Sequence, residues 1–596
     1  MSAPAAEAPS AGRFVPQVPA PPASPAPPAP PALASLPDPR WGLWALAIAV
    51  LAIAASATSL RNGFTYDDRW IIAENGRVHE LRALFHYFQE SYWPMRSGAA
   101  LYRPLVILAY AVQWALGGGS PFVFHLVNVL LAAVCAVAVF WVAGFLVPQR
   151  VAWMAAAFFA VHPVHVEAIA NVVGQAELWA ALVVLGAVGL YLRDRRDGPL
   201  RRETGLAICA LFLVGVFIKE HVIVLPALLV AAEVLLYRDA PLMQRLRRLR
   251  LLLWPLVAIT AGFLALRVQV LGEIGGDVQH PSLMHRDMLE RAFIMLNVIP
   301  EYARLLLVPA RLYADYSPRQ LVVSPTLDAS HLAGIVLLAS SLGLFALTVR
   351  RAPVVAFGIA WFALLIAPVS NVLIATGILV AERTLYLPSV GALLALAVGL
   401  DALHARLRAD GSSLQRLVPL GCAAALALGV ARSSTRNAFW HDSDSAFAMM
   451  VDESPLNFKA HYAYGGQLFE RHKGREGELE WRLAIALMPD YHGVYMDLAH
   501  KYREAHLCQA ALPLYRKALE VEPDLPIAYV SIAACQLELA QWHAARTTSR
   551  VAIADGMYKK AFRYIIERAD SALVAADSID PTIGAKWLSR RRGVAK

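Results

Sequence analysis

What most constrains this chain is a series of long apolar runs. Residues 41–60, 121–146, 204–218, 222–237, 251–271, 331–349, 354–373, 385–405 and 417–432 are almost free of charge. A run of about 20 such residues can cross a bilayer as a helix. A spanning segment must also satisfy its own backbone hydrogen bonds, which a helix does. Composition agrees: 58% of the 596 residues are hydrophobic and 17% are charged, against about 25% charged in a soluble domain. The expected fold class is all-α, a polytopic helix bundle in a membrane.

The formal net charge of +9 could point to nucleic acid. The arginines cluster beside the ends of the apolar runs, however, where they act as topological anchors, so nucleic acid is not an expected partner. Four short loops carry the bias: RDRRDGPLRRE (193–203), YRDAPLMQRLRRLR (237–250), VRRAP (349–353) and HARLRADGSSLQR (404–416). The positive-inside rule places all four in the cytoplasm. That placement tests the helix count. Residues 291–309 are apolar enough to span, but a span there would put Arg350 and Arg351 outside. The segment also contains Arg291, Pro300, Glu301 and Arg304, so it reads as an interfacial or re-entrant helix on the outer side. About eleven spans remain, at 41–60, 121–146, 151–162, 175–192, 204–218, 222–237, 251–271, 331–349, 354–373, 385–405 and 414–432. An odd number leaves the N-terminus cytoplasmic and the C-terminal region extracytoplasmic. Residues 61–120, 162–178, 219–221 and 272–330 then share the outer face.

The chain divides into a Pro/Ala-rich tail (1–40), read as disordered rather than as a signal peptide, a membrane domain (41–435), a repeat domain (436–580) and a basic tail (581–596). The repeats show as a 34-residue step: Pro455, Pro489, Pro523; Ala484, Ala518, Ala552; Gly465, Ala499, Ala533; Gly477, Ala511, Ala545. Four positions in one such register identify tetratricopeptide (TPR) repeats. Small residues sit where paired helices approach closely, and proline stops the second helix. Residues 440–455 read as an entering half-repeat and 558–576 as a capping helix. Such an α-solenoid offers a groove for an extended polypeptide; the simpler use is a spacer or dimerisation module. Of five cysteines, Cys508 and Cys535 are the two that could pair outside the membrane, but spacing alone does not establish their geometry.

Several polar groups interrupt the apolar pattern on the outer side. NGFTYDDRW (62–70) places Asp67 and Asp68 directly after the first span. Adjacent carboxylates repel, which can raise one pKa. They also point in different directions, so one could be a general base while its neighbour binds or orients; a solvated turn is the plainer reading. LYRPL (101–105) puts Tyr102 and Arg103 ahead of a new apolar helix. An arginine there binds lipid phosphate or simply snorkels. HPVHVEAIANVVGQAEL (162–178) carries His162, His165 and Glu167. The spacing brings a metal site to mind, but no third ligand is fixed, and Glu167, Asn171 and Gln175 instead form one stripe of a polar-faced helix. Lys219, Glu220 and His221 break an apolar stretch. They make a tight turn, or a phosphate site formed by a lysine that runs against the charge bias. AERTLYLPSVG (381–391) sets Glu382 and Arg383 at the outer end of another helix.

In order, FTYDDRW, YRPL, PFVFHLVNVLL, AVHPVHVEAIANVVGQAEL, the lysine-glutamate pair, LLLVPARLYADYSP, APVSNVLIATGILVAERTLYLPSVG and the repeats resemble the transmembrane-and-tetratricopeptide family of protein O-mannosyltransferases and its bacterial relatives. The resemblance runs over roughly residues 60–560 and extends to the wider GT-C class of glycosyltransferases. It implies a GT-C-type bundle in the inner or plasma membrane of a bacterium, with the repeats outside. It implies a polyprenyl-phosphate sugar as donor substrate, an acceptor polypeptide held by the repeats, and no fixed cofactor, with a divalent metal left open. The acidic motif of that class falls on Asp67 and Asp68. The tyrosine-arginine-proline falls on Tyr102, Arg103 and Pro104, and the glutamate-arginine pair on Glu382 and Arg383. Arg103, Lys219 and Arg383 are then the cations expected at the donor phosphate, with His162, His165, Glu167, Glu220 and Glu382 supporting. This chain departs from the family in its Pro/Ala-rich tail and in having only about three repeats, which bears on the acceptor rather than the donor. Two other readings stay open: an envelope oligosaccharide ligase or polymerase, and a non-enzymatic membrane-anchored scaffold.

Overall fold

The computed structural model describes residues 40–541, apart from 83, 95–100, 273–279, 284–285, 317–320 and 524, together with 545 and 567. The Pro/Ala-rich tail, the capping segment at 558–576 (Glu567 aside) and the basic tail at 581–596 lie outside them. Every regular element among the described residues is helical.

Among the described residues, seven helices are long and apolar enough to cross a membrane: Trp41–Arg61, Pro121–Ala143, Val172–Asp197, Leu242–Leu271, Ala329–Arg351, Ser389–Ala409 and Ser413–Trp440. An eighth forms if Gln149–Val161 and Pro163–Ala170, bent by 51° at their junction, are taken together. The remaining expected spans come out short. Arg202–Val216 has 15 residues and Leu225–Leu236 has 12; a 15-residue helix rises only about 22 Å, less than the ~30 Å hydrocarbon core. Pro353–Val369 is likewise below spanning length. Length and apolarity therefore support seven or eight spans rather than the eleven expected. The 291–309 segment is two short helices, Met288–Met295 and Ile299–Leu307, neither of spanning length. The proposed Glu167–Asn171–Gln175 stripe is not one helix. Val166–Ala170 stops at Asn171, whose backbone is extended, and a 3-10 turn Val172–Gly174 intervenes. All three residues are buried, so no polar face meets the interface.

Side-chain contacts give the bundle two chemically distinct ends. At one, Arg150 pairs with Asp401 (2.9 Å), Arg195 with Glu233 and Asp239 (3.0 Å each), and Arg238 donates to the Val349 carbonyl (3.0 Å). At the other, His125 meets the Gly63 carbonyl (3.1 Å), His165 meets Ser389 (2.9 Å), and Lys219 pairs with Glu177. Helix Gln175–Asp197 reaches both ends, and the rise from Glu177 to Arg195 is about 27 Å at 1.5 Å per residue. The short helices Arg202–Val216 and Leu225–Leu236 lead to and from the Lys219–His221 turn, and both begin or end among the arginines. All four basic loops thus gather at the end away from the acidic loop. Helix Pro104–Gly117 stays on the acidic-loop side: Arg103 meets Glu220 at its start, and Trp114 stacks on His79 (3.8 Å) near its finish.

Packing inside the bundle is close. Helices Pro353–Ile366 and Ser389–Ala409 touch backbone to backbone at Gly358 and Gly391, where a Cβ on Gly391 would also meet Trp361 at 2.8 Å. By contrast, the apolar windows of Ala329–Arg351 and Ser413–Trp440 are only 6% buried. They present leucine, isoleucine and valine outward, a surface that only lipid or another apolar body would cover.

The last helix of the bundle leads into Ser443–Glu453 and then Phe458–Glu470, Gly474–Leu487, His492–Glu504, Cys508–Val521 and Pro526–Glu538. The helix starts at Phe458, His492 and Pro526 keep the 34-residue step, as do Gly474 and Cys508. A Cβ on Gly465 would come within 3.0 Å of the Gly477 carbonyl oxygen, and one on Gly477 within 2.8 Å of the Gly465 carbonyl oxygen. The small residues therefore lie where the paired helices meet. The pairing that spacing left open is made: Cys508 and Cys535 form a disulfide with Cα atoms 5.2 Å apart.

Candidate active site

Helix Trp41–Ser56 ends in a 3-10 turn, Ala57–Arg61, and the acidic loop follows. The chain just before the C-terminal helices clamps that loop. Asn62 Nδ2 donates to the Asn437 carbonyl (3.0 Å), Gly63 N to the His441 carbonyl (2.7 Å), Thr65 Oγ1 to the Trp440 carbonyl (3.0 Å), and Tyr66 N to Ser443 Oγ (3.3 Å). Tyr66 sits at φ 58°, a left-handed conformation that costs a non-glycine residue about 1–2 kcal/mol and persists only where the surroundings impose it. Its ring is held against Trp440 and Phe447.

This strained turn sends the two carboxylates to different fates. Asp68 is fully buried and accepts three backbone hydrogen bonds, from Thr65 N (3.2 Å), Val172 N (3.2 Å) and Val173 N (2.8 Å). Burial pushes its carboxyl up, and the three N–H groups pull it back. The donors at 172 and 173 come from the turn Val172–Gly174, which only glycine closes: a Cβ on Gly174 would lie 2.8 Å from the Ala168 carbonyl carbon. Asp67 is half-buried and makes no hydrogen bond or ion pair among the described residues. Burial pushes its carboxyl up to about 6; Arg383 works against that shift and Glu167 adds to it.

Around Asp67 the separate sequence segments converge. Glu167, buried, takes both the backbone N–H of Arg383 (2.8 Å) and its guanidinium. Arg103 donates through Nε and Nη2 to Glu220 Oε2 (3.1 and 3.0 Å) and lies over the Tyr92 ring (5.3 Å). Arg267 donates to the other oxygen of Glu220 (3.2 Å). Burial opposes ionisation of Glu220, but the two guanidiniums hold its carboxylate well below the usual range. Lys219 is buried against Glu177. Burial pushes its ammonium well below the ordinary lysine value, and Arg103 and Arg383 push it further. The two guanidiniums disfavour the Lys219 charge, and an anion placed among the three would be stabilised.

Other expected residues turn elsewhere. The Tyr102 hydroxyl donates to the Phe88 carbonyl (2.7 Å), and its ring packs between Phe217 and Phe263. His162 meets the Leu306 carbonyl (3.0 Å) and the Val164 N–H (3.3 Å); His165 meets the Phe159 carbonyl and Ser389 Oγ (2.9 Å each). Their nitrogens are spent on tying this loop to neighbouring helices, while Glu167 faces Arg383. Among the described residues no three His, Cys, Asp or Glu side chains gather to hold a metal ion. Glu382 points away from its neighbour Arg383, accepting from Tyr313 N (2.6 Å) and the Tyr316 hydroxyl (2.9 Å). Burial pushes its carboxyl up to about 8.

Sequence reading missed Glu177 and Arg267, the partners of Lys219 and Glu220. A signal was present: each is an ionisable residue beside or within a long apolar stretch of its helix, 178–192 for Glu177 and 251–271 for Arg267, which by itself marks a functional candidate. It also missed the 437–443 clamp, which carries no motif.

No protein-family model matches the chain. Among curated proteins it is similar to protein O-mannosyl-transferase TMTC3 of Mus musculus, 26% identical over 555 residues and 79% of this chain. It is 27% identical over 468 residues, 70% of this chain, to protein O-mannosyl-transferase TMTC4 of Homo sapiens. Protein O-mannosyl-transferase Tmtc1 of Drosophila melanogaster is 27% identical over 543 residues, 74% of this chain. The ordered motifs resemble this same family. The chain spans only 59%, 62% and 61% of their respective lengths. Among solved structures it is similar to ArnT from Cupriavidus metallidurans bound to undecaprenyl phosphate. That likeness has 17% identity and a TM-score of 0.36, covering 77% of this chain and 80% of that one; it is too loose to transfer a residue or a ligand.

Proposed function

We propose that this chain is a membrane glycosyltransferase that moves a sugar, mannose by analogy with its relatives, from a polyprenyl-phosphate carrier to serine or threonine hydroxyls of extracytoplasmic proteins. The observation that carries the reading is the unequal treatment of two adjacent carboxylates. Asp68 is spent on three N–H groups, while Asp67 is left unpaired beside Arg383 and Glu167. A scaffold has no use for an unpaired, half-buried carboxylate beside a group of buried basic side chains.

In this mechanism Asp67 accepts the proton of the acceptor hydroxyl as its oxygen bonds to the anomeric carbon. The bond from that carbon to the phosphate oxygen breaks, and its electron pair leaves with the polyprenyl phosphate. The phosphate gains negative charge at that moment, and Arg103, Lys219 and Arg383 are the groups placed to stabilise it. Asp68 positions the loop. Glu167 fixes Arg383 through its backbone and side chain, and Glu220 orients Arg103.

The helical repeats after residue 457 are read as a TPR solenoid that presents the acceptor. Arg69, directly after the acidic pair, forms an ion pair with Glu470, and Asn457 and Lys459 hold Asp315 (3.0 and 3.6 Å). The repeats thus begin beside the candidate site. The Cys508–Cys535 disulfide fits an oxidising, extracytoplasmic compartment. The gathering of basic loops at the opposite end fits a cytoplasmic face, and the short helices joining the two ends are read as further crossings. The test is transfer of labelled sugar from a polyprenyl-phosphate donor to acceptor protein in membranes. Asp67→Asn at matched protein amount should be nearly inactive, and wild-type turnover by that variant would favour the scaffold reading.

A further inference from the structure

At the arginine-rich end of the bundle, helices Gln175–Asp197, Arg202–Val216 and Leu242–Leu271 enclose a cavity of about 540 Å³. One wall is apolar, with Leu206, Leu251 and Pro255. Leu206 and Leu251 are 61% and 74% exposed on the outer surface, so the cavity opens toward the region the bilayer would fill. The other wall carries arginines. Arg195 and Arg245 are buried against Glu233, and Arg201 is held by Asp194 (2.5 Å). Arg202 and Arg248 also line the cavity, are exposed, and make no hydrogen bond or ion pair among the described residues. A topological anchor needs only charge at a helix end. It does not need a cavity with an apolar floor beneath two unspent guanidiniums.

We propose that this cavity binds an anionic phosphate-bearing lipid from the leaflet at the arginine-rich end. Arg202 and Arg248 take its phosphate, and its hydrocarbon chain lies along Leu206 and Leu251. Guanidiniums suit phosphate because their N–H groups match its oxygens in pairs. Glu233 ties Tyr191, Arg195 and Arg245 together across the helices, and Asp194 pairs with Arg201, so the unpaired positive charge is at Arg202 and Arg248. The site is distinct from the Asp67 site at the other end of the bundle and requires only that the chain crosses a membrane.

The experiment is native mass spectrometry of the full chain in detergent with graded amounts of phosphatidylglycerol, undecaprenyl phosphate, phosphatidylcholine or inorganic phosphate. One equivalent of anionic lipid should remain bound under conditions that strip phosphatidylcholine, and the tighter of the two anionic lipids identifies the source. Arg202→Ser with Arg248→Ser should weaken retention by about 30-fold, and the corresponding double lysine variant, which keeps the charge but not the paired N–H groups, should fall between that variant and the parent. Loss of arginines can also disturb insertion, so a second variant leaves every charge in place. Gly205 lines the cavity and has only Leu200, at 4.0 Å, near its Cβ position; Gly205→Phe should fill the space and abolish retention. Equal retention of phosphatidylcholine, indifference to both variants, or displacement of the lipid by inorganic phosphate at matching concentration would overturn the proposal.

Discussion

Exchanging each carboxylate of the acidic pair for its amide should break two different things. Asp68→Asn removes an acceptor that takes three backbone N–H bonds at 2.8–3.2 Å in a fully buried position. The amide keeps one oxygen and turns an NH₂ group toward at least one of those donors. A hydrogen bond to a charged acceptor contributes about 1.5–3 kcal/mol, and leaving the donor unsatisfied adds to the loss. Asp68→Asn should therefore destabilise the loop and the Val172–Gly174 turn by about 2–4 kcal/mol, seen as earlier thermal aggregation in detergent and faster proteolysis near residue 66. Asp67→Asn touches no hydrogen bond and removes a carboxylate whose charge burial opposes, so above about pH 6 it should be at least as stable as the parent, while loss of a general base should lower kcat by about 10²–10⁴-fold. Donor affinity should change little, because the base acts mainly in the transition state. The assay is single-turnover transfer from labelled polyprenyl-phosphate donor, with melting curves run on the same preparations. Wild-type turnover by Asp67→Asn, or an inactive Asp68→Asn of unchanged stability and unchanged proteolysis, would refute this division of labour.

The same group sets a pH dependence. With the Asp67 carboxyl raised to about 6, wild-type kcat should climb as pH rises through about 6, and Asp67→Asn should lose that limb. Folding raises this pKa above its unfolded value of about 3.9. The folded chain is therefore the tighter proton binder, and wild type should lose stability relative to Asp67→Asn between about pH 4 and 6. Arg103→Ala should weaken donor binding by about 10–100-fold through the lost charged contacts, with a smaller effect on kcat, measured as KM for the donor. Truncation after residue 435 should abolish activity outright, because it removes Trp440 and His441 from the acidic loop. Truncation after residue 454 keeps that clamp and should retain donor binding while losing transfer to protein. Reducing the Cys508–Cys535 bond, which closes 27 residues of chain, should destabilise the repeats by about 3–4 kcal/mol, read by thermal unfolding with and without reductant.

From the sequence alone the all-helical class, the positions of the apolar helices, the repeat register and most of the polar groups at the candidate site were legible, but the number of spans was not. Each is written in local terms. Apolar run length, a 34-residue step of small residues and an ionisable group in an apolar setting do not depend on what lies across the fold. The arginine bias also assigned the four basic loops to one end, because that bias is a property of loops and not of packing. What the sequence left open were matters of direction and partner. Asp67 and Asp68 are chemically identical neighbours, and only the left-handed turn at Tyr66, imposed by residues 440–447, decides which is tied down. Lys219 and Glu177, Arg103 and Glu220, Arg383 and Glu167 are 42, 117 and 216 residues apart, so no periodicity could pair them. His162 and His165 have ligand-like spacing, yet backbone carbonyls and a serine claim their nitrogens once the helices assemble. The tertiary structure decided these points because a side chain's charge state, partners and aim are set by whatever the distant chain brings against it.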